Sequence, residues 1–375
     1  MRGLGYRAAT VGIYLAIADG MGILGPFLFG RLTDRSGKYK GYIVFAYLLT
    51  AVVALPLVLL VHPVISALLV AVLAIGYKSA IPLTEAITTI NLGEKGNYGK
   101  IRVSGSISFV FFMLFLHWAP VLPPNTPINI ALWMCITTVL AVVVVIVIPS
   151  KITTRRSPQM PHAETSAGGP LRTAPENTGI AKKPIWTPVL IVGLVSIALN
   201  RLAMTPAYTF FPIFLVEDMH WNAVGLTLAL GAIAEIPFMY FSDRFIRRFG
   251  AMPILAFTSL MVAVRLGVYA LFPFKPGILV AQLLNCFTYG LFHPAAIAFI
   301  TDSVPPEKRS FGMGLYLSVG CGIPALLANS IGGFIVDHAG YRALFGLFTI
   351  PAVLGAAVYV VFRLAEASTM RRKSA

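Results

Sequence analysis

Residues 127–149 read PINIALWMCITTVLAVVVVIVIP, a run without a single charge. At 1.5 Å per residue, such a run wound into a helix is about 34 Å long, enough to cross a hydrocarbon core of about 30 Å. Ten further stretches share the pattern: 10–31, 41–61, 64–91, 103–121, 187–215, 222–243, 251–273, 276–301, 310–336 and 343–362. The breaks between them carry Gly, Pro, Asn or charge, as turn chemistry expects. Composition agrees. Hydrophobic residues make up 57% of the chain and charged residues 11%, whereas a soluble domain carries about 25% charged residues. The expectation is an all-α membrane protein with eleven transmembrane helices, and the lipid bilayer is its first partner.

One segment breaks the pattern. Residues 150–186 are rich in Pro, Gly, Ser and Thr and lack hydrophobic periodicity, so they read as a disordered linker. The linker divides the chain into a five-helix bundle, 1–149, and a six-helix bundle, 187–375.

The net charge of +15 does not imply nucleic acid. The Lys and Arg residues sit in short segments between apolar runs, where a membrane protein keeps them. Alternate loops (31–40, 92–102, 150–186, 244–250, 302–309) and the C-terminal tail hold 22 of them; the other set holds Arg2, Arg7, Lys275 and Arg342. That asymmetry places the first set, and the C-terminus, in the cytoplasm. The three cysteines, Cys135, Cys286 and Cys321, lie far apart in apolar stretches and offer neither a disulfide framework nor a metal site. No cofactor is expected.

Eleven spans with a cytoplasmic C-terminus put the N-terminus outside, although the chain opens without a signal peptide. An internal repeat bears on this. VGIYLAIADGMGILGPFLFGRLTD (11–34) resembles VGLTLALGAIAEIPFMYFSD (224–243). The second unit follows another helix, 187–215, so the first should as well. The parent reads as six plus six, with a first helix expected before residue 1. Repeats of this kind are a transporter feature.

Ionisable groups deep in a membrane cost roughly 2.5–3.5 kcal/mol each on insertion scales, so each is a functional candidate. Here they are Asp19, Lys78, Glu85, Arg201, Glu235, Arg265 and His293. Glu235, Arg265 and His293 lie near the middle of three successive helices and form the candidate proton-coupling set. A guanidinium lowers the proton affinity of a nearby carboxylate, and moving it away restores that affinity. Histidine titrates near neutral pH and also holds polar substrates. A static salt bridge that fixes helix packing is the competing reading. Lys78 and Glu85 share one helix face, with Pro82 able to open the backbone between them. Glu85 reads as a contact for substrate or proton, and Lys78 as a substrate contact or a counter-ion for Asp19 or Glu85. Gln282, Asn285 and Tyr289 continue to His293 as a polar stripe, read as cavity lining or as interhelical hydrogen bonding. Asp34, Arg35, Asp243 and Arg244, in GRLTDRSGKYK (30–40) and FSDRFIRRFG (241–250), are the candidate cytoplasmic gate.

GRLTDRSGKYK resembles the loop motif between the second and third helices of the major facilitator superfamily. PLTEA (82–86) followed by NYGKIRVSGSISFV (97–110) resembles its phenylpropionate-permease-like branch, related to lactose permease and nucleoside:proton symporters. The string is Tyr98, Gly99, Arg102, Gly105 and Ser106, with Ser104 where the family often has Trp. The resemblance implies the major facilitator fold, a bacterial inner-membrane location and a monomer. It also implies coupling roles for Glu235, Arg265 and His293, and substrate contacts at Glu85 and Arg102. An apolar stretch around Phe299 and Ile300 stands where lactose permease carries a further Glu.

The leading expectation is a proton-coupled symporter of a small polar or aromatic metabolite, working by alternating access. A proton-driven exporter of the same fold and a transport-inactive remnant are the alternatives. No metalloprotease motif occurs, and GEKGNYGK (93–100) has the wrong spacing for a phosphate-binding loop, so the chain does not read as an enzyme.

Overall fold

A computed structural model of the chain describes residues 1–92, 98–118, 126–149, 186–305 and 309–374. The described residues are almost entirely helical, and no strand is found among them. The helical stretches are α1 (Ala8–Ser36), α2 (Tyr39–Leu59), α3 (Pro63–Leu92), α4 (Tyr98–Trp118) and α5 (Pro127–Val147), then α6 (Pro188–Glu217), α7 (Val224–Phe249), α8 (Ala251–Leu271), α9 (Lys275–Ser303), α10 (309–339) and α11 (341–374). Each of the eleven apolar stretches thus overlaps a helix among the described residues. Nine stretches among the described residues are long and apolar enough to cross a membrane. One of these, 312–365, turns at Gly340 (φ 80°), where α10 passes into α11. The apolar part of α4, Ser104–Trp118, is shorter. The expected linker, 150–186, lies outside the described residues except for Trp186.

Local chemistry sets several ends. α5 and α6 both open on Thr-Pro. The hydroxyls of Thr126 and Thr187 accept from the amides of Asn129 and Leu190, and proline at the first helical position loses no hydrogen bond there. Proline inside a span removes one backbone bond, and Pro26, Pro82, Pro206, Pro237 and Pro351 all lie within helices. α9 and α10 each widen into a π-helical segment, Cys286–Leu291 and Tyr316–Gly322. Such wide turns are frequent at functional sites.

The packing is that of a bilayer-embedded molecule. Large apolar side chains face outward, including Val147 (75% exposed), Leu271 (74%) and Phe111 (71%). A water-soluble monomer does not expose apolar surface on this scale. The interior of the last six helices is dense: Phe211, Phe214, Tyr269, Leu266 and Phe345 form one fully buried cluster, and Leu190, Ile197, Leu255, Ala295 and Phe299 belong to a second. Among the first five helices the described cluster is smaller, built on Phe29, Tyr39, Ile43 and Leu83.

The two sets of helices meet along α1 and α10. A Cβ placed on Gly12 would lie 2.3 Å from the Asn329 carbonyl oxygen and 3.0 Å from the Gly333 Cα, so only glycine allows this approach. A second seam brings Gly225 of α7 against Met113 and His117 of α4.

Candidate functional site

The site is built on α7, α8 and α9, and Tyr208 of α6 and Tyr316 of α10 join it. α7 and α9 come together at Gly290, where a Cβ would lie 3.1 Å from the Glu235 carbonyl oxygen. That approach sets Glu235 beside the end of α9 that carries Asn285. The Asn285 amide donates to Glu235 Oε2 at 2.8 Å. Its oxygen accepts from Arg265 Nη1 at 2.7 Å and from the Tyr208 hydroxyl at 3.1 Å. Glu235 and Arg265 therefore communicate through one neutral side chain, not a direct ion pair.

Arg265 is 2% exposed. Its Nε donates to Tyr269 at 2.8 Å, Nη1 also to Thr288 at 3.0 Å, and Nη2 to Gln282 at 2.9 Å. The planar fork thus uses every nitrogen, joining α8 to α9. Tyr269 sits four residues along from Arg265, on the same helix face. Thr288 lies inside the π segment of α9. The sequence reading did not identify Tyr208, Tyr269 or Thr288. The i, i+4 spacing of Arg265 and Tyr269 was the one signal available.

The wide turn divides the polar stripe of α9. Gln282 and Asn285 turn to Arg265. Tyr289 within the turn and His293 just beyond it stack on each other, with centroids 5.8 Å apart and planes at 8°. His293 Nδ1 shares a hydrogen bond of 2.9 Å with the Tyr316 hydroxyl. His293 thus meets Tyr316 of α10. The two groups are linked by rings, since Tyr208 packs edge-on to Tyr289 at 6.1 Å.

A second polar centre lies where α1, α3 and α10 meet. Lys78 Nζ donates to Asp19 Oδ1 at 2.5 Å, and Asn329 donates to Asp19 Oδ2 at 2.6 Å. Asp19 is one of the two partners open to Lys78 in the sequence; the side chain of the other, Glu85, lies outside the described residues. Asn329 adds a tie from α10 that the sequence reading did not foresee. Further along, Arg2 makes a two-pronged pair with Glu217, 2.8 Å at each prong, and Tyr341 donates to the same carboxylate at 2.7 Å. Hydrogen bonding to Glu217 raises the Arg2 guanidinium above its ordinary value. Asp337 accepts from the amides of Ala8 and Ala9 at 2.9 and 2.8 Å, satisfying donors that the start of α1 would leave orphaned.

These cross-contacts are the ones found among the described residues. They involve residues 2–23 and 113–117 of the first five helices, and positions 217, 225, 322–337 and 341 of the last six. Gly30, Gly105 and Gly314, nearer the basic-loop end, face open space. Asp243 and Arg244 at that end are exposed, with Arg244 over the Phe241 ring at 5.2 Å. The side chains of Asp34, Arg35, Glu85 and Arg102 lie outside the described residues. No cluster of His, Cys, Asp and Glu among the described residues forms a metal site.

Comparison with known proteins gives a consistent picture. The model of the family described as MFS_1 like matches residues 1–347. The chain is 22% identical to the maltose permease of Geobacillus stearothermophilus over 97% of this chain and 88% of that protein. It is 23% identical to a probable 3-phenylpropionic acid transporter of Escherichia coli K12, over 94% and 88%. It is also 24% identical to a putative nucleoside transporter of the same strain, over 96% and 86%. The crystal structure of the nucleoside transporter NupG superposes with a TM-score of 0.68 at 16% identity, covering 98% of this chain and 91% of that one. A mutant form of NupG gives a TM-score of 0.73.

Proposed function

This chain belongs to the MFS_1-like family, a transporter and not an enzyme, and on that premise we propose that it moves a small polar or aromatic metabolite together with protons. The observation that carries this reading is the buried chain Glu235–Asn285–Arg265, a carboxylate and a guanidinium joined by one amide at mid-span. Two opposite charges held apart by a rotatable neutral group form an element with two states. With the link made, the ionised carboxylate is held by the Asn285 amide. With the link broken, the carboxylate takes up a proton instead of standing alone in low dielectric. Helix movement that makes and breaks the link would load and release the proton.

Alternating access supplies that movement. Two bundles, 1–149 and 187–375, rock about a midplane site, with 150–186 as the flexible connection. The excess of Lys and Arg in alternate loops supports a cytoplasmic C-terminus. The Arg2–Glu217–Tyr341 and Asp337–α1 contacts then act as the external gate in its closed state. Asp34, Arg35, Asp243 and Arg244 serve the cytoplasmic gate, and Glu85 and Arg102 the substrate from the first bundle. The location proposed is the bacterial inner membrane, as a monomer.

The test is uptake by proteoliposomes carrying the purified chain, with a panel of maltose, 3-phenylpropionate and uridine. One member should accumulate several-fold under an imposed inward proton gradient, and a protonophore should abolish the accumulation. Uptake that only equilibrates, with or without the gradient, would leave transport intact and remove proton coupling.

A further inference from the structure

We propose that Arg201 is the anion-recognition residue of a binding site for a small organic monoanion, walled by Tyr208, Tyr289, His293 and Tyr316. The proposal rests on the transporter reading above and adds the charge of the cargo.

Charge balance is the first argument. Among the described residues, the carboxylates sunk in the spans are already engaged. Asp19 holds Lys78, and Glu235 faces Arg265 through Asn285. Arg201, in the middle of α6, makes no ion pair with a described carboxylate; the described pairs are Arg2–Glu217 and Lys78–Asp19. A guanidinium does not lose its proton in a protein. The interior of the last six helices therefore carries one surplus positive charge, and protonation of Glu235 raises the surplus to two. A charge of this kind in a span lines a substrate or ion pathway or finds a partner. Among the described residues no carboxylate fills that role, and the ligand supplies it.

Hydrogen bonding is the second argument. Arg201 Nε is buried without a hydrogen-bond partner, whereas Arg265 spends all three of its nitrogens on neighbouring side chains. Cys321, Tyr289, Tyr208 and Tyr316 lie within electrostatic reach of Arg201, and none of them is a carboxylate. Such an orphaned donor is costly unless something completes it, and a carboxylate matches the guanidinium fork with two parallel bonds.

The walls specify the rest of the ligand. Tyr289 lies in the π segment of α9, and Tyr316 and Cys321 lie in that of α10. Both widened turns among the described residues thus place side chains within electrostatic reach of the same cation. The rings form a continuous series: Tyr208 edge-on to Tyr289, Tyr289 stacked on His293, and His293 tilted against Tyr316 at 6.1 Å. Tyr208, Tyr289 and His293 keep partial exposure at mid-span depth. Aromatic faces suit a flat apolar body, and a small inorganic ion would leave them unused. With Glu235 ionised against Arg265, the one guanidinium left over matches a single carboxylate.

The experiment measures equilibrium binding to the full chain in lipid nanodiscs, without any gradient. The probes are benzoate and phenylacetate, each against its amide, which keeps the ring and size but lacks the charge. Both carboxylates should saturate and bind at least roughly tenfold more tightly than their amides, because the charged hydrogen bonds are lost with the charge. Arg201→Gln should remove that preference, and Arg201→Lys should keep part of it. Equal binding of acids and amides, absence of saturable binding by either acid, or full preference in Arg201→Gln would overturn the proposal. The acid–amide comparison on the unaltered chain needs no variant to fold. A chain that prefers the acids yet never accumulates solute would sink proton coupling and leave this site standing. One that accumulates solute but binds acids and amides alike would do the reverse.

Discussion

Glu235→Gln is expected to abolish proton-driven accumulation, by tenfold or more, while leaving exchange of internal for external substrate near the level of the unaltered chain. Glutamine keeps the length and hydrogen-bonding capacity of the side chain, so the Asn285 contact at 2.8 Å has a neutral replacement and α7 stays packed on α9. What disappears is the proton. Exchange requires the loaded carrier to turn around and does not require the carboxylate to discharge, whereas net accumulation requires discharge in every cycle. Radiolabelled uptake under a proton gradient, set beside counterflow in the same vesicles, separates the two. Equal loss of both would assign Glu235 to substrate binding or to folding.

Arg265→Gln is expected to act on the fold as well as on coupling. The arginine makes four hydrogen bonds to Tyr269, Asn285, Thr288 and Gln282. Interhelical bonds in membranes average about 0.6 kcal/mol each, and breaking a buried charge network by removing one partner reaches 3–5 kcal/mol. A loss of roughly 2–4 kcal/mol is expected between those limits. Thermal unfolding in detergent should show a clearly lowered midpoint, with Arg265→Lys intermediate, since an ammonium keeps the charge without the fork. An unchanged midpoint in Arg265→Gln would mean that the network does not hold α8 to α9.

Most of the helical architecture was legible because lipid imposes a length. An uncharged run such as 127–149 has few other uses, and the structure places α5 there as Pro127–Val147. The charged members of the site were legible for a related reason: Glu235 and Arg265 stand out in apolar surroundings. Their partners were harder to read. Neutral residues such as Asn285, Tyr208 and Thr288 occur in membrane helices in many roles, and which of them face a given charge depends on how each helix is rotated. The π segment of α9 adds a local reason. A stripe extrapolated at regular helical spacing from Gln282 to His293 assumes a uniform turn, and the widened turn at Cys286–Leu291 sends its two ends to different neighbours. Asp19 and Lys78 were both visible in the sequence, but Asn329, which joins them from α10, comes from more than three hundred residues away. Contacts of that kind follow from how α1 packs on α10, which Gly12 and Gly333 permit and no local pattern announces.

Proton movement that accompanies substrate is the most direct measurement. A pH-sensitive dye trapped in proteoliposomes reports it when the panel solute taken up by the unaltered chain is added outside, with no gradient imposed. The account predicts prompt acidification of the lumen, absent in Glu235→Gln. Substrate entry at full rate with no change in lumenal pH would contradict it.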